Sequence, residues 1–561
     1  KAVSLSGEAA ESDPVEITME DGLVISSMFQ NDMVLQRRQN VNVWGSGPNG
    51  ETVTVTVGTA SASATVENNE WKVVLPPMEA GGPYDMTITG QNSGFSKTFT
   101  NVMVGEVWVT SGQSNLAFTM RWFGQQANAK TMENVRLFSM DIPDLNDPAQ
   151  EMTNGKWNVC TPDSAYNYSA VSYYLAEALH EATNIPVGII CAGVGGSPAR
   201  CWMSKDVREQ SEYLKTYYDS GAIGVAARAS AFYNSSIAPL HNFTVAGAVW
   251  YQGAADSYST VQYDQVVTGL IHDWRSKWQQ ETLPFIIVQE QVYAEPDASR
   301  MWARVREGQQ KVADTVDDTY LVPLIDSGEP TNIHPGDKRT VGERLSAVIQ
   351  ALNVEGSNTD VYPPSFASAR VESGKIIVTL KDCTGLVSDD GKALREFEIC
   401  GADGVFAEAK AEITGANEIT ISSDMVKEPL YVRYAFRNCP EVNLFGTNGL
   451  PVTPFRTDNY FGYYYPRAYH KTQYTPGETV LVEVDTNKIA GGVAEVALYL
   501  DGVKHSTLTE APYEFDLGTV TAGRHTINIM ALGTDGVTYP SFRTNFYVGM
   551  PKTVEPFYTN A

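Results

Sequence analysis

The sequence predicts an α/β fold flanked by β domains, and three observations carry that prediction. In the middle of the chain, short apolar runs alternate with stretches of helical period, the signature of a parallel sheet covered on both faces. On either side of it the apolar residues alternate with period two and are broken by Gly and Pro. Near the C-terminus, residues 497–500, an Asp501-Gly502 turn and a following strand give a hairpin signal, read as a small Ig-like β-sandwich. With 561 residues, at roughly 150 per domain, three or four domains are expected.

The elements follow in order. Residues 1–22 form an N-terminal extension. In residues 23–103, Val41, Val43 and residues 52–57 alternate between breaks at Gly45, Pro48-Asn49-Gly50 and Gly81-Gly82-Pro83, which predicts a β-sandwich domain. Residues 104–353 are the α/β domain, with apolar runs at 104–109, 187–192, 245–250, 284–288 and 320–325. Between two of these runs, Tyr263, Val266, Val267, Leu270, Ile271, Trp274 and Trp278 share one helical face. Val341, Leu345, Val348, Ile349 and Leu352 form the last helix, which closes the domain near Asn353. After Pro363-Pro364, residues 365–458 are a second β module or the completion of the first. A Tyr-rich linker, residues 460–465, leads to the Ig-like segment, residues 475–549.

Composition narrows the function. The chain is 43% hydrophobic and 19% charged, the balance of a folded protein. Its net charge of −26, from 66 acidic and 40 basic residues, repels phosphate backbones and anionic headgroups, which argues against nucleic acid and membrane surfaces as partners. No run approaches the roughly 18 apolar residues of a spanning helix. The first residue is Lys1, as in a trimmed chain or a mature form from which a signal peptide has been removed. The six cysteines contain no CxxC pair, so a structural zinc site is not expected; disulfides stay open.

The most informative stretch is Val-Gly-Glu-Val-Trp-Val-Thr-Ser-Gly-Gln-Ser-Asn, residues 104–115. A buried strand ends in a tight turn and delivers Ser114 to the C-terminal edge of the sheet, where open α/β sheets bind ligands. A strand-to-helix cap serine would look the same in isolation. Three other segments follow strands at the same expected edge. His334 is a base able to activate a serine near neutrality. Gly195 and Gly196 can offer unhindered N–H groups, and Gln252 an amide donor for a developing oxyanion.

Gly-Gln-Ser-Asn at 112–115, Val-Gly-Gly-Ser at 194–197, Trp-Tyr-Gln-Gly at 250–253 and Ile-His-Pro-Gly-Asp-Lys at 333–338, in that order, resemble the blocks of SGNH hydrolases, and more closely the sialate O-acetylesterase family of carbohydrate esterases. Met-Val-Leu-Gln-Arg at 33–37, Asp-Trp-Arg at 273–275, residues 283–289, residues 306–309 and residues 449–458 match as well. The resemblance spans about residues 23–458. It implies a flavodoxin-like SGNH hydrolase domain, a serine mechanism without metal or cofactor, and O-acetylated sugars as substrates. Those sugars are O-acetylated sialic acids or, alternatively, acetylated xylan or mannan; a degenerate esterase that only binds glycans is the other reading. A bacterial secreted or periplasmic location follows from the same resemblance.

Carried over, it makes Ser114 the nucleophile, His334 the base, and the Ser114 N–H, Gly195 or Gly196, and Gln252 the oxyanion donors. The chain departs from the pattern in three places. Ala254, Ala255 and Asp256 replace the usual Glu-Ser-Asn, so a carboxylate and a hydroxyl beside the site are expected to be missing. Thr331 and Asn332 stand where an Asp is usual. Arg200 follows the Gly-rich block, where an acidic or small residue is common, and is the candidate for binding a sugar carboxylate. The acid that steadies His334 is then Asp326, ahead of Asp337, which is placed to cap the next helix, and ahead of a dyad oriented by Asn332 or a carbonyl. Trp202 and Trp122 are candidates for stacking on a sugar; Trp108, Trp250 and Trp274 are expected in the core.

Overall fold

The structure is a computed structural model. It describes the short strands Ala2–Val3 and Ala9–Ala10 and then residues 22–220, 228–257, 262–294, 300–353, 359–460, 466–487, 489, 491–541 and 544–549. Most of the expected 1–22 extension, and residues 461–465 of the expected linker, lie outside the described residues. The chain divides into two compact units, residues 1–249 with 270–284, and residues 250–269 with 285–561.

In the first unit, Thr52–Val57 buries every second residue and pairs antiparallel with Ala60–Thr65 and Gly81–Gly90. A second sheet joins Val24–Ile25, Val41–Ser46 and Glu70–Leu75. Val53, Val55, Val43, Val73 and Leu75 are fully enclosed, as a strand with one apolar face requires. The 17-residue strand Ser96–Gly112 then changes character along its length. Its first part pairs with Gly81–Gly90 and is largely exposed; residues 102–112 are buried without a break. That unbroken burial marks a strand covered on both faces. Its second part runs parallel to Val187–Gly193, in register from Glu106↔Val187 to Gly112↔Gly193. Met132–Ser139 lies parallel on the far side of Val187–Gly193, and Lys156–Cys160 antiparallel beyond it.

The helix Ala170–Thr183 is capped by the Ser169 hydroxyl on the Ser172 N–H and ends at Asn184 in the left-handed conformation, φ +55°. The helix Tyr263–Trp278 buries the face expected from its period: Val266, Val267, Leu270, Ile271 and Trp274 have no exposed surface. Trp108, Trp250 and Trp274 are core residues.

In the second unit, Phe285–Val288 and Thr319–Val322 form a parallel pair, and helices Met301–Thr315 and Arg339–Leu352 follow them. Residues 365–458 build two four-stranded sheets around one core that includes Ile376, Val378, Ile399, Ile419, Val432 and Tyr434. The C-terminal module packs a three-stranded sheet and a six-stranded sheet around Val480, Val482, Leu498, Phe515, Ile527 and Phe546. Its Asp501-Gly502 turn has φ of +53° and +82°, the mirror-image turn that the twist of a tight hairpin favours. Tyr460, Cys400, Ala497, Tyr499 and Met530 form one cluster that joins the C-terminal module to residues 365–458. The module is therefore not a bead on a free tether. No disulfide joins any of the six cysteines, and among the described residues no helix is long and apolar enough to cross a membrane.

Candidate active site

The first unit carries Ser114. The Ser96–Gly112 strand ends with Gly112 at φ +149°, a conformation that only glycine adopts cheaply, and Gln113 caps a one-turn helix, Ser114–Ala117. The Gln113 carbonyl accepts from Leu116 N–H (3.0 Å) and Ala117 N–H (2.9 Å), and that of Ser114 from Phe118 N–H (2.9 Å). These bonds fix Ser114 as the first residue of the helix, 7% exposed. The neighbouring strand ends beside it: Val194 N–H donates to the Gly112 carbonyl at 3.1 Å. A Cβ added to Gly195 would lie 3.6 Å from the Ser114 Cβ, and Gly196 sits at φ +70°. Gly195 thus lies against the strand-end serine.

The residues after that block are buried. Ser197 Oγ donates to the Val194 carbonyl (2.7 Å) and accepts from Trp202 Nε1 (2.9 Å). Trp202 has no exposed surface, so it cannot stack on a sugar as it stands; Trp122 is 63% exposed. Arg200 is 4% exposed and reaches Ser220 Oγ at 3.1 Å.

The second unit carries Gln252 and His334. Gln252 is fully buried; its Nε2 donates to Asp256 Oδ2 at 2.7 Å and its Oε1 accepts from the Tyr263 hydroxyl at 2.6 Å. The Gln252 carbonyl accepts from the same hydroxyl (2.6 Å) and from Gln309 Nε2 (3.1 Å). The amide is held at both ends. The carboxylate expected to be missing beside this loop is present after all. Asp256, buried, supplies one from the loop itself, and Glu290 another, accepting from Ala254 N–H at 2.9 Å.

His334 is half-buried in the loop between Thr319–Val322 and Arg339–Leu352. Its N–H donates to Asn332 Oδ1 (3.0 Å), Asn332 Nδ2 to Glu329 Oε2 (3.0 Å), and Gly336 N–H to Glu329 Oε1 (2.8 Å). Gln291 Nε2 holds the Ile333 carbonyl at 3.1 Å. Glu329 therefore ties the loop, and those hydrogen bonds keep its carboxyl below the usual range. Burial first, and the Lys338 charge second, push His334 below the ordinary imidazole value, so it is neutral and able to take a proton near pH 7. Asp337 Oδ1 accepts from Thr340 N–H at 3.1 Å, the helix-capping role expected of it.

Asp326 is not on His334. Its two oxygens accept from Arg344 Nη1 (2.8 Å) and Nη2 (2.6 Å), and Arg344 also holds the Pro323 carbonyl at 2.6 Å. The acid at the strand end meets a guanidinium on the following helix before it can fold back to the loop. Asp326→Asn is accordingly expected to lower kcat by less than about tenfold, roughly 1.4 kcal/mol; a loss of orders of magnitude in acetate release would return Asp326 to the catalytic role. Among the described residues no three His, Cys, Asp or Glu side chains come together to hold a metal ion.

Residues 104–349 match the family described as "Carbohydrate esterase, sialic acid-specific acetylesterase", and residues 470–529 match "Bacterial Ig domain". The sialate O-acetylesterase of Homo sapiens is 29% identical over 377 residues, covering 59% of this chain and 71% of that protein. The Mus musculus enzyme is 27% identical over 409 residues, 61% of this chain and 76% of its own. The crystal structure of a carbohydrate acetylesterase from Xanthomonas citri superposes with a TM-score of 0.70 at 30% identity, over 78% of this chain and all of that one. This chain thus belongs to the sialic acid-specific acetylesterase family and is a carbohydrate esterase that carries a bacterial Ig domain.

Proposed function

We propose that the protein removes O-acetyl groups from sugars, O-acetylated sialic acids first among them, through an acetyl-Ser114 intermediate. The observation that carries this reading is the turn that fixes Ser114 at the head of a one-turn helix with Gly195 against it. In the proposed cycle, Ser114 Oγ attacks the acetyl carbonyl and passes its proton to His334. The Ser114 N–H, a Gly195 or Gly196 N–H and Gln252 take up the oxyanion. The sugar leaves as the alcohol, protonated by His334, and water then releases acetate by the same route in reverse.

Burial and the Lys338 charge keep the His334 ring in its neutral form near pH 7, the form a general base must start from. With Asp326 engaged by Arg344, Asp326 leaves the proposed catalytic set, and Glu329 and Asn332 secure the loop that carries His334. Arg200, 4% exposed and bound to Ser220 Oγ, is enclosed like Trp202 and does not meet a sialic acid carboxylate as it stands. A flavodoxin-like SGNH arrangement and a secreted or periplasmic setting complete the reading.

The test is acetate release by the purified protein from O-acetylated sialic acids and from acetylated xylan. Release from the sialic acids is the expected result. Release from xylan alone would move the substrate to plant polysaccharide, and no release from either, nor from an aryl acetate, would leave a glycan-binding protein.

A further inference from the structure

Glu290 has no part in the chemistry proposed above, yet its carboxyl is completely enclosed. It comes two residues after the Phe285–Val288 strand. Its Oε1 accepts from Ala254 N–H at 2.9 Å, and its Oε2 is buried without a hydrogen-bond partner. Its own N–H donates to Gln309 Oε1 at 2.9 Å, the side chain whose Nε2 holds the Gln252 carbonyl. Between these contacts lies Gly253. A Cβ there would stand 2.8 Å from Glu290 Cγ and 2.5 Å from Val305 Cγ1, so the turn is shaped around the carboxyl.

Arg306, on the Met301–Thr315 helix, and the wholly buried Lys338, four residues after His334, act on Glu290, and Glu290 in turn acts on the phenols of Tyr251 and Tyr263. Lys338 Nζ also lies 5.9 Å from the centre of the Tyr251 ring.

We propose that Glu290 is a positioning residue for the esterase site: its carboxyl fixes the turn that presents Gln252. This rests on the esterase reading above. Burial lifts Glu290 to about 7 against the Ala254 N–H and the two cations, and lowers Lys338 to about 7 against Glu290, Asp337 and Glu329.

The experiment measures kcat and KM for an aryl acetate in the full chain and in Glu290→Ala, Glu290→Gln and Ser114→Ala. In Glu290→Ala, kcat should fall at least tenfold with KM within twofold. Glu290→Gln, which keeps an acceptor for Ala254, should recover most of kcat. If Glu290→Ala matches the parent in kcat while Ser114→Ala is inactive, Glu290 is not a positioning residue. A fall in Glu290→Ala that Glu290→Gln leaves unrestored would refute the role of its acceptor on Ala254. Turnover that survives Ser114→Ala would overturn the underlying esterase reading instead.

Discussion

Ser114→Ala should abolish acetate release, lowering kcat by roughly 10³- to 10⁶-fold, the span seen when the nucleophile of a serine hydrolase is removed and only binding and oxyanion stabilisation remain. The protein should fold as before. Ser114 opens a helix whose hydrogen bonds are made by its backbone, and alanine is favourable there. The space above its Cβ is bounded by Gly195, so the smaller side chain meets no clash. The decisive pair of measurements is acetate release and a thermal melt: inactivity with an unchanged Tm supports the assignment, and undiminished turnover removes Ser114 from it.

Asp458→Ala should cost about 3–5 kcal/mol of stability, the range for stripping one partner from a buried ion pair. The Asp458 carboxylate is completely enclosed and accepts from Arg433 Nε (2.7 Å) and Nη2 (2.8 Å), Arg456 Nη1 (3.2 Å) and Tyr460 N–H (3.1 Å). Arg433 in turn lies flat over Phe406, 3.7 Å from the ring centre. Burial alone would raise the Asp458 carboxyl, but the hydrogen bond and charge of Arg433 and the charge of Arg456 outweigh it and hold it below the usual range. A depressed carboxyl stabilises the fold fully above its unfolded value, about 3.9, and the contribution fades as pH falls below that. Urea unfolding of the variant at pH 7 and pH 3 checks both statements. A loss under about 1 kcal/mol at pH 7 would mean that the pair is solvated.

Asp458 also shows what kind of information the sequence held. The Gly-Leu-Pro-x-x-Pro-Phe-Arg-Thr-Asp block reads as a family signature, yet its Arg456 and Asp458 are bound up in holding residues 365–458 to Glu307 and Tyr460. The Met-Val-Leu-Gln-Arg block is similar: Gln36 Oε1 accepts from Val107 N–H at 2.8 Å and Arg37 pairs with Glu106 at 2.5 Å, both supporting the strand that leads to Ser114.

Local signals were legible because they depend on near neighbours. The period of residues 263–278, the Asp501-Gly502 turn and the Ser111-Gly112-Gln113 corner are each decided within a few residues. Contacts between distant segments were not. Nothing near Ala254 announces that Glu290, 36 residues later, will fill the space above it, and nothing near Asp326 shows that Arg344 will reach it from the next helix. Trp202 looked like a sugar platform because a tryptophan in a Gly-rich loop reads as exposed; the Ser197 hydroxyl and the Trp274 side chain, whose Nε1 donates to the Trp202 carbonyl at 2.8 Å, hold it inside.

The single 17-residue strand Ser96–Gly112 is, at roughly 3.3 Å per residue, a rod of about 56 Å that begins in the N-terminal β-sandwich and ends two residues before Ser114. Force or distortion applied to that sandwich travels along one covalent, hydrogen-bonded lever to the turn that holds Ser114. Anyone tethering this enzyme to a bead, a surface or a fusion partner should therefore expect attachment through the sandwich to perturb turnover.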